Sequence, residues 1–170
     1  QNFKMTPKQL EDAITPKTRL LILCSPSNPT GSVYSQEELD ALAEVIKKHE
    51  RVIVIADEIY EHINYIGSHA SIAKVAGMKE RSVVVNGVSK AYAMTGWRIG
   101  FIAAPEWIVK GCNKLQGQYT SGPCSVSQKA AEAAYTLDQH CVEEMRQAFE
   151  RRRDLIVELA KNIPGLEVNK

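Results

Sequence analysis

The chain has 170 residues, 44% of them hydrophobic and 24% charged, with a formal net charge of +1. That length suffices for one domain with a sizeable core, and near-neutrality removes the electrostatic case for nucleic acid or an anionic membrane as a partner. The longest apolar runs, RLLILC and RVIVIAD, are far too short to span a bilayer, and the first twelve residues hold no long apolar segment of the signal-peptide kind.

Taken in chain order, TPKQLEDAI reads as a short helix with Thr6 as N-cap and Pro7 at the first helical position. RLLILC, Arg19 to Cys24, is a continuous apolar run ending in the turn sequence SPSNPTG, which predicts a buried strand. SQEELDALAEVIKKHE follows. Ser35 with Glu38 forms a capping box there, and Leu39, Leu42, Val45 and Ile46 share one helical face. RVIVIAD and RSVVVNGV are further β-branched runs, WRIGFIAA reads as a strand stopped by Pro105, and EWIVKGCNKLQGQ as a helix. Ser125 to Asn162 reads as one long helix or two abutting ones, with Met145, Phe149, Leu155, Ile156 and Leu159 near helical spacing. The basic run Arg151–Arg153 lies between Glu150 and Asp154, so a solvated helix face is expected in place of a nucleic-acid patch. Cys24, Cys112, Cys124 and Cys141 form neither a CxxC pair nor a cluster with histidine. Reduced thiols in a cytoplasmic protein are the expectation, and no metal site. The chain starts without an obvious beginning and stops at LEVNK, where an apolar strand is about to form, as expected of a piece of a longer protein.

Strands alternating with helices predict an α/β fold: three layers, a mostly parallel sheet with flanking helices. Ligands of such sheets bind at the carboxyl ends of the strands, so the residues standing there are the candidates. Lys90, after RSVVVNGVS, reads either as a snorkelling surface lysine or as a Schiff-base lysine activated by desolvation and neighbouring charge. Asp57 reads as a helix N-cap or as an anion aimed at a cationic ring nitrogen. Tyr60 reads as packing or, if its segment is helical, as a phenol reaching the same pocket. Asn28 lies in the turn SNPTG, where its amide also suits a ligand oxygen. Arg98 is an edge-strand arginine or a bidentate phosphate ligand, and Ser89 offers a hydroxyl to the same phosphate.

Together, SPSNPTG, DEIY and VNGVSKAYAMTGWRIG resemble, in order and spacing, the signature of the fold-type I, pyridoxal-phosphate-dependent aminotransferases. The resemblance is to class I, and within it to the bacterial aspartate aminotransferases, over about Leu20 to Tyr135. It implies that Lys90 holds pyridoxal 5'-phosphate through a Schiff base and then moves the substrate proton. It implies that Asp57 pairs with the pyridine nitrogen, that Tyr60 and Asn28 hydrogen-bond the ring's phenolic oxygen, and that Ser89 and Arg98 hold the phosphate. The reaction implied passes an amino group between an amino acid, aspartate by resemblance, and a 2-oxo acid, 2-oxoglutarate, in a homodimeric parent. Residues 1–135 then correspond to part of the cofactor-binding large domain and 136–170 to the helix leading toward a small domain. The rest of the phosphate cup and the ring-stacking aromatic are expected upstream of Gln1, and the arginine for the substrate carboxylate beyond Lys170. The isolated chain is therefore not expected to transaminate. Gly122 stands where the family pattern favours asparagine, which bears on a subunit-crossing contact. The alternatives are a carbon–sulfur lyase or cyclopropane-forming synthase on the same scaffold, and a non-catalytic aminotransferase-like sensor domain.

Overall fold

The computed structural model describes residues 3–168. Its centre is a four-stranded sheet in the order β1 (Leu20–Cys24), β2 (Ile53–Asp57), β3 (Ser82–Gly87), β4 (Gly100–Ala103). β1–β2 and β2–β3 pair in parallel and β3–β4 antiparallel. Five helices accompany it: α1 (Pro7–Ala13), α2 (Gln36–Lys47), α3 (Glu106–Tyr119), α4 (Ser125–Thr136) and α5 (His140–Lys161). This is the mostly parallel, helix-flanked sheet that the sequence predicts.

Local chemistry sets the boundaries of the first helices. In α1 the Gln9 amide donates to Thr6 Oγ1 at 3.2 Å, while the Thr6 amide donates back to Gln9 Oε1 at 2.9 Å. The expected box at α2 closes in the same way, with Glu38 N–H on Ser35 Oγ at 3.2 Å and Ser35 N–H on Glu38 Oε2 at 2.8 Å. Each box satisfies two backbone donors that a helix start leaves unpaired.

The core lies between α2 and one face of the sheet. Leu39, Leu42, Ala43, Val45 and Ile46 of α2 are buried together with Leu23, Val54 and Ala56 of the strands. Residues of a strand alternate between faces. Leu21 and Leu23 accordingly turn inward, while Leu20 and Ile22 on the opposite face are 56% and 72% exposed, so the strand expected to be buried is covered on one face only. Each fully buried aliphatic side chain in this layer contributes about 1.5–3 kcal/mol of transfer free energy. No helix among the described residues is long and apolar enough to cross a membrane.

A second strand also differs from expectation. The strand read from WRIGFIAA is shorter, because Thr95–Trp97 form a 3-10 turn capped by Arg98 in the left-handed region at φ 55°, ψ 47°. β4 therefore begins only at Gly100, and Arg98 is a turn residue, not an edge-strand one. Ser125–Asn162 resolves into α4 and α5 with a break at residues 137–139, the two-helix alternative of the sequence reading. On α5 the side chains buried are Val142 and Val157, whereas Phe149, Leu155, Ile156 and Leu159 are 41–66% exposed. The arginine run divides: Arg151 and Arg152 are exposed, but Arg153 is half-buried, bonded to Asp154 and Glu150, with its guanidinium 4.5 Å from the Tyr65 ring centroid.

Candidate active site

The carboxyl ends of β1, β2 and β3 point the same way, and the chain segments leaving them meet. After β1, Ser27 and Gly31 close a tight turn, with Gly31 N–H on Ser27 O and Ser27 N–H on Ser32 O, both 2.9 Å. Gly31 sits at φ 72°, a left-handed conformation suited to a residue without Cβ. This turn presents Asn28, whose Nδ2 donates to Tyr60 Oη at 2.9 Å.

Tyr60 follows β2, but not on a helix. Residues 58–63 form consecutive turns, with Glu61 N–H on Glu58 O at 2.9 Å and Ile63 N–H on Tyr60 O at 2.8 Å. The turns bring the Tyr60 ring under Lys90, whose Nζ lies 5.6 Å from the ring centroid in a cation–π contact. Asn28, Tyr60 and Lys90, from three different strand ends, are thus in one contact chain. Because Tyr60 Oη accepts from Asn28, its own proton is left to donate elsewhere.

Asp57 is the last residue of β2. Its flanks are fixed by both neighbours: Ser25 N–H donates to Asp57 O at 3.1 Å and Glu58 N–H to Val85 O at 2.9 Å. Its carboxylate Oδ1 accepts the Ile59 amide at 3.2 Å, a side-chain-closed turn that orients the group without a helix behind it. Ser89 and Lys90 are half-buried between Val88 and Ala91, at 0% and 6% exposure. β3 and β4 pair at Gly87 and Gly100. Ser89 lies two residues after Gly87 and Arg98 two residues before Gly100, so both leave the sheet at the end that carries Asp57. Arg98 is exposed, and its Nη1 donates to Thr95 O at 2.9 Å. Its guanidinium does not join the Asn28–Tyr60–Lys90 contact chain. A cleft of about 580 Å³ opens beside Asn28 and Tyr60, walled by Ile63, Tyr65, Arg153 and Val157.

Polar groups that the sequence reading passed over surround these residues. Glu58 is 6% exposed; its Oε1 accepts Ser71 Oγ–H at 2.6 Å and its Oε2 lies 2.8 Å from His69 Nε2. Glu61 Oε1 accepts Asn86 Nδ2–H at 2.8 Å and stands 3.3 Å from His62 Nε2. The His62 hydrogen bond, opposed by burial and helped by Asn86, holds the Glu61 carboxyl below its ordinary range. The same bond, opposed by burial, raises the His62 imidazole. The available signal was an asparagine inside the β-branched run VVVNG, a residue that needs a partner when buried.

Comparison with known proteins agrees with this architecture. A bifunctional aspartate aminotransferase and glutamate/aspartate-prephenate aminotransferase of Petunia hybrida is 49% identical over 174 aligned residues, covering 100% of this chain and 36% of its own length. An aspartate aminotransferase of Geobacillus stearothermophilus is 50% identical, covering 96% of this chain and 42% of its own. Among solved structures, an aspartate aminotransferase from Rhizobium meliloti superposes with a TM-score of 0.96 at 44% identity, over 98% of this chain and 42% of that one. An aromatic aminotransferase from Pyrococcus horikoshii superposes with a TM-score of 0.89 at 43% identity, over 92% and 43% respectively. The chain spans about two fifths of the length of these relatives. Residues 1–170 match the family profile of aminotransferase class I and II from end to end, and the chain belongs to that family.

Proposed function

We propose that the strand-end cluster is the cofactor site of a pyridoxal-phosphate-dependent aminotransferase and that the whole protein exchanges an amino group between aspartate and 2-oxoglutarate. The observation that carries the reading is the convergence of Asn28, Tyr60 and Lys90, through a 2.9 Å hydrogen bond and a 5.6 Å cation–π contact.

The donor set fits the cofactor. A primary amine suited to an aldehyde stands beside an amide and a phenol suited to an adjacent ring oxygen. A carboxylate suited to a pyridinium ends the neighbouring strand, oriented by the Ile59 amide. Bound there, pyridoxal phosphate supplies a cationic ring that accepts electron density from the substrate's α-carbon. The chain's own residues do the rest. Lys90 Nζ carries the covalent attachment and, once released from it, takes and returns the proton at the substrate carbon. Asp57, as a carboxylate, keeps a proton on the ring nitrogen. Tyr60 Oη and Asn28 Nδ2 donate to the ring oxygen. Ser89 and Arg98 are assigned to the phosphate, with Arg98 turning from its bond to Thr95 O. Residues 1–135 belong, in this reading, to the large domain and 136–170 to the helix toward a small domain, and the whole protein is a homodimer.

The test is an amino-acid panel with the full-length protein and 2-oxoglutarate, with glutamate measured against the oxo acid formed. Stoichiometric glutamate from aspartate is expected. Aromatic amino acids belong in the panel, since one similar structure is an aromatic aminotransferase. Ammonia or a cyclised product without glutamate would assign a lyase or synthase on this scaffold instead. Turnover of no amino acid would assign a sensor.

A further inference from the structure

The turn that carries Tyr60 has little holding it from within. Residues 58–71 contain neither α-helix nor strand, and the hydrogen bonds inside the turn, Glu61 to Glu58 and Ile63 to Tyr60, are local. Two bonds reach it from elsewhere, Glu58 N–H on Val85 O at its start and Asn28 Nδ2 on Tyr60 Oη at its tip, but neither ties the segment after Tyr60 to β3. Yet the phenol at its tip has to keep station against a lysine delivered by a different strand.

Asn86 supplies that second tie to β3. It is 7% exposed and stands in an otherwise apolar strand, a position that costs free energy unless both ends of the amide are bonded. Both are: Oδ1 accepts the Gly87 amide at 2.8 Å, and Nδ2 donates to Glu61 Oε1 at 2.8 Å. The first bond fixes the amide plane against its own backbone, so the second points in one direction only. Downstream of Asn86 the backbone has no slack. A Cβ at Gly87 would meet Ile99 O at 2.7 Å and Gly100 Cα at 2.8 Å, and Val88 is fully buried. Lys90 follows two residues later.

We propose that Glu61 and Asn86 are a positioning pair, whose hydrogen bond ties the turn carrying Tyr60 to the strand delivering Lys90 and sets the separation of the phenol from the ammonium. Among the described residues neither side chain is hydrogen-bonded to Tyr60 or Lys90; they act through the adjoining backbone. The far end of the same loop is held separately, by the Glu58 carboxylate on Ser71 and His69. A carboxylate oxygen of Glu58, one of Glu61 and a ring nitrogen of His69 lie within 4.8 Å of one another, so the two fastenings adjoin. The Glu58 carboxylate closes the loop on itself, and Glu61 fastens it to β3 beyond the backbone bond from Glu58 N–H to Val85 O. The functional meaning of the pair rests on Lys90 and Tyr60 being the cofactor-facing groups, but the coupling is a property of the chain without cofactor.

The test therefore uses the 170-residue chain without cofactor, with ¹³C-labelled lysine. The Lys90 Cε resonance is assigned by Lys90→Arg, and its ring-current displacement by Tyr60→Leu, which removes the aromatic ring. Glu61→Ala is expected to abolish most of that displacement. Asn86→Asp is expected to do the same, because it sets a carboxylate against Glu61 while keeping an acceptor for the Gly87 amide. Combining Asn86→Asp with Glu61→Gln again faces an amide with a carboxylate and is expected to restore the displacement. A generally weakened fold would not be rescued in this charge-specific way. The proposal is overturned if either single variant, with native dispersion elsewhere, keeps the displacement. It is also overturned if the double variant fails to recover it, whether folded or not. The cofactor reading fails on a different signal, the absence of a Lys90-dependent visible band with pyridoxal phosphate, and that result would leave the resonance shifts as they are.

Discussion

Substituting Gly87 by alanine probes the junction from which both Lys90 and Arg98 leave the sheet. The added Cβ would lie 2.7 Å from Ile99 O and 2.8 Å from Gly100 Cα, both backbone atoms of the paired strand. Ordinary contact needs about 3.5 Å, so β3 and β4 would have to part by roughly 0.7 Å where no side chain can rotate away. Overpacking of this kind costs about 1–3 kcal/mol, and the upper end applies because the obstacle is backbone. Alanine returns about 0.4–1 kcal/mol by narrowing the unfolded ensemble, which leaves a net loss of about 2 kcal/mol. At a urea dependence of about 2 kcal/mol per molar, the midpoint falls by about 1 M. Gly111 in the middle of α3 is the matched control, since a Cβ there meets nothing within 4 Å. Gly111→Ala is expected to raise stability by about 0.5–1 kcal/mol from helix propensity alone. Urea unfolding of both variants, followed by circular dichroism, decides the matter. A Gly87→Ala midpoint within about 0.2 M of the parent would refute the steric argument, and so would equal effects at the two glycines.

Two further outcomes follow from the core and from the Glu61–His62 pair. Leu42 is fully buried against the sheet, so Leu42→Ala should cost about 2–5 kcal/mol in chemical unfolding, and a loss below about 1 kcal/mol would contradict the assigned core. His62 is raised above its ordinary 6.5 by Glu61, so its contribution is fully present below that value and lost as pH rises through the folded value. Glu61 is lowered from 4.5, so its contribution is present above that value and lost as pH falls through the folded one. Stability from this pair therefore peaks between those two ordinary values. His62→Gln should flatten the decline above it, as read from urea midpoints across the pH range; an unchanged slope would remove the pair from the account.

What was legible in the sequence was local. A capping box needs only residues three apart: the box at Ser35 forms as read, and Thr6 caps α1 as read, with Gln9 completing a box that was not read. The strands before Asn28, Asp57 and Lys90 announced themselves as β-branched runs ended by polar residues, so the rule of strand carboxyl ends located the candidate residues. What failed depended on partners distant in the chain. The strand ending in β4 was read as beginning at Trp97, because nothing in the residue types shows that Arg98 adopts a positive φ, which side chains other than glycine seldom do. Helix spacing placed Leu155, Ile156 and Leu159 on α5 correctly but could not show that they are exposed, since spacing says which residues share a face and not what covers it. Asn86 and Glu61 are 25 residues apart, and their bond exists only once parallel pairing has set β3 beside β2.

The measurement that bears most directly on the central claim is a visible absorbance titration of the chain with pyridoxal phosphate, followed by borohydride reduction and peptide mapping, beside Lys90→Ala. A pH-dependent band that the substitution abolishes is expected, with the reduced adduct on Lys90. A band of equal strength in Lys90→Ala, or adducts spread over surface lysines with Lys90 unmodified, would contradict the assignment of Lys90 as the cofactor's lysine.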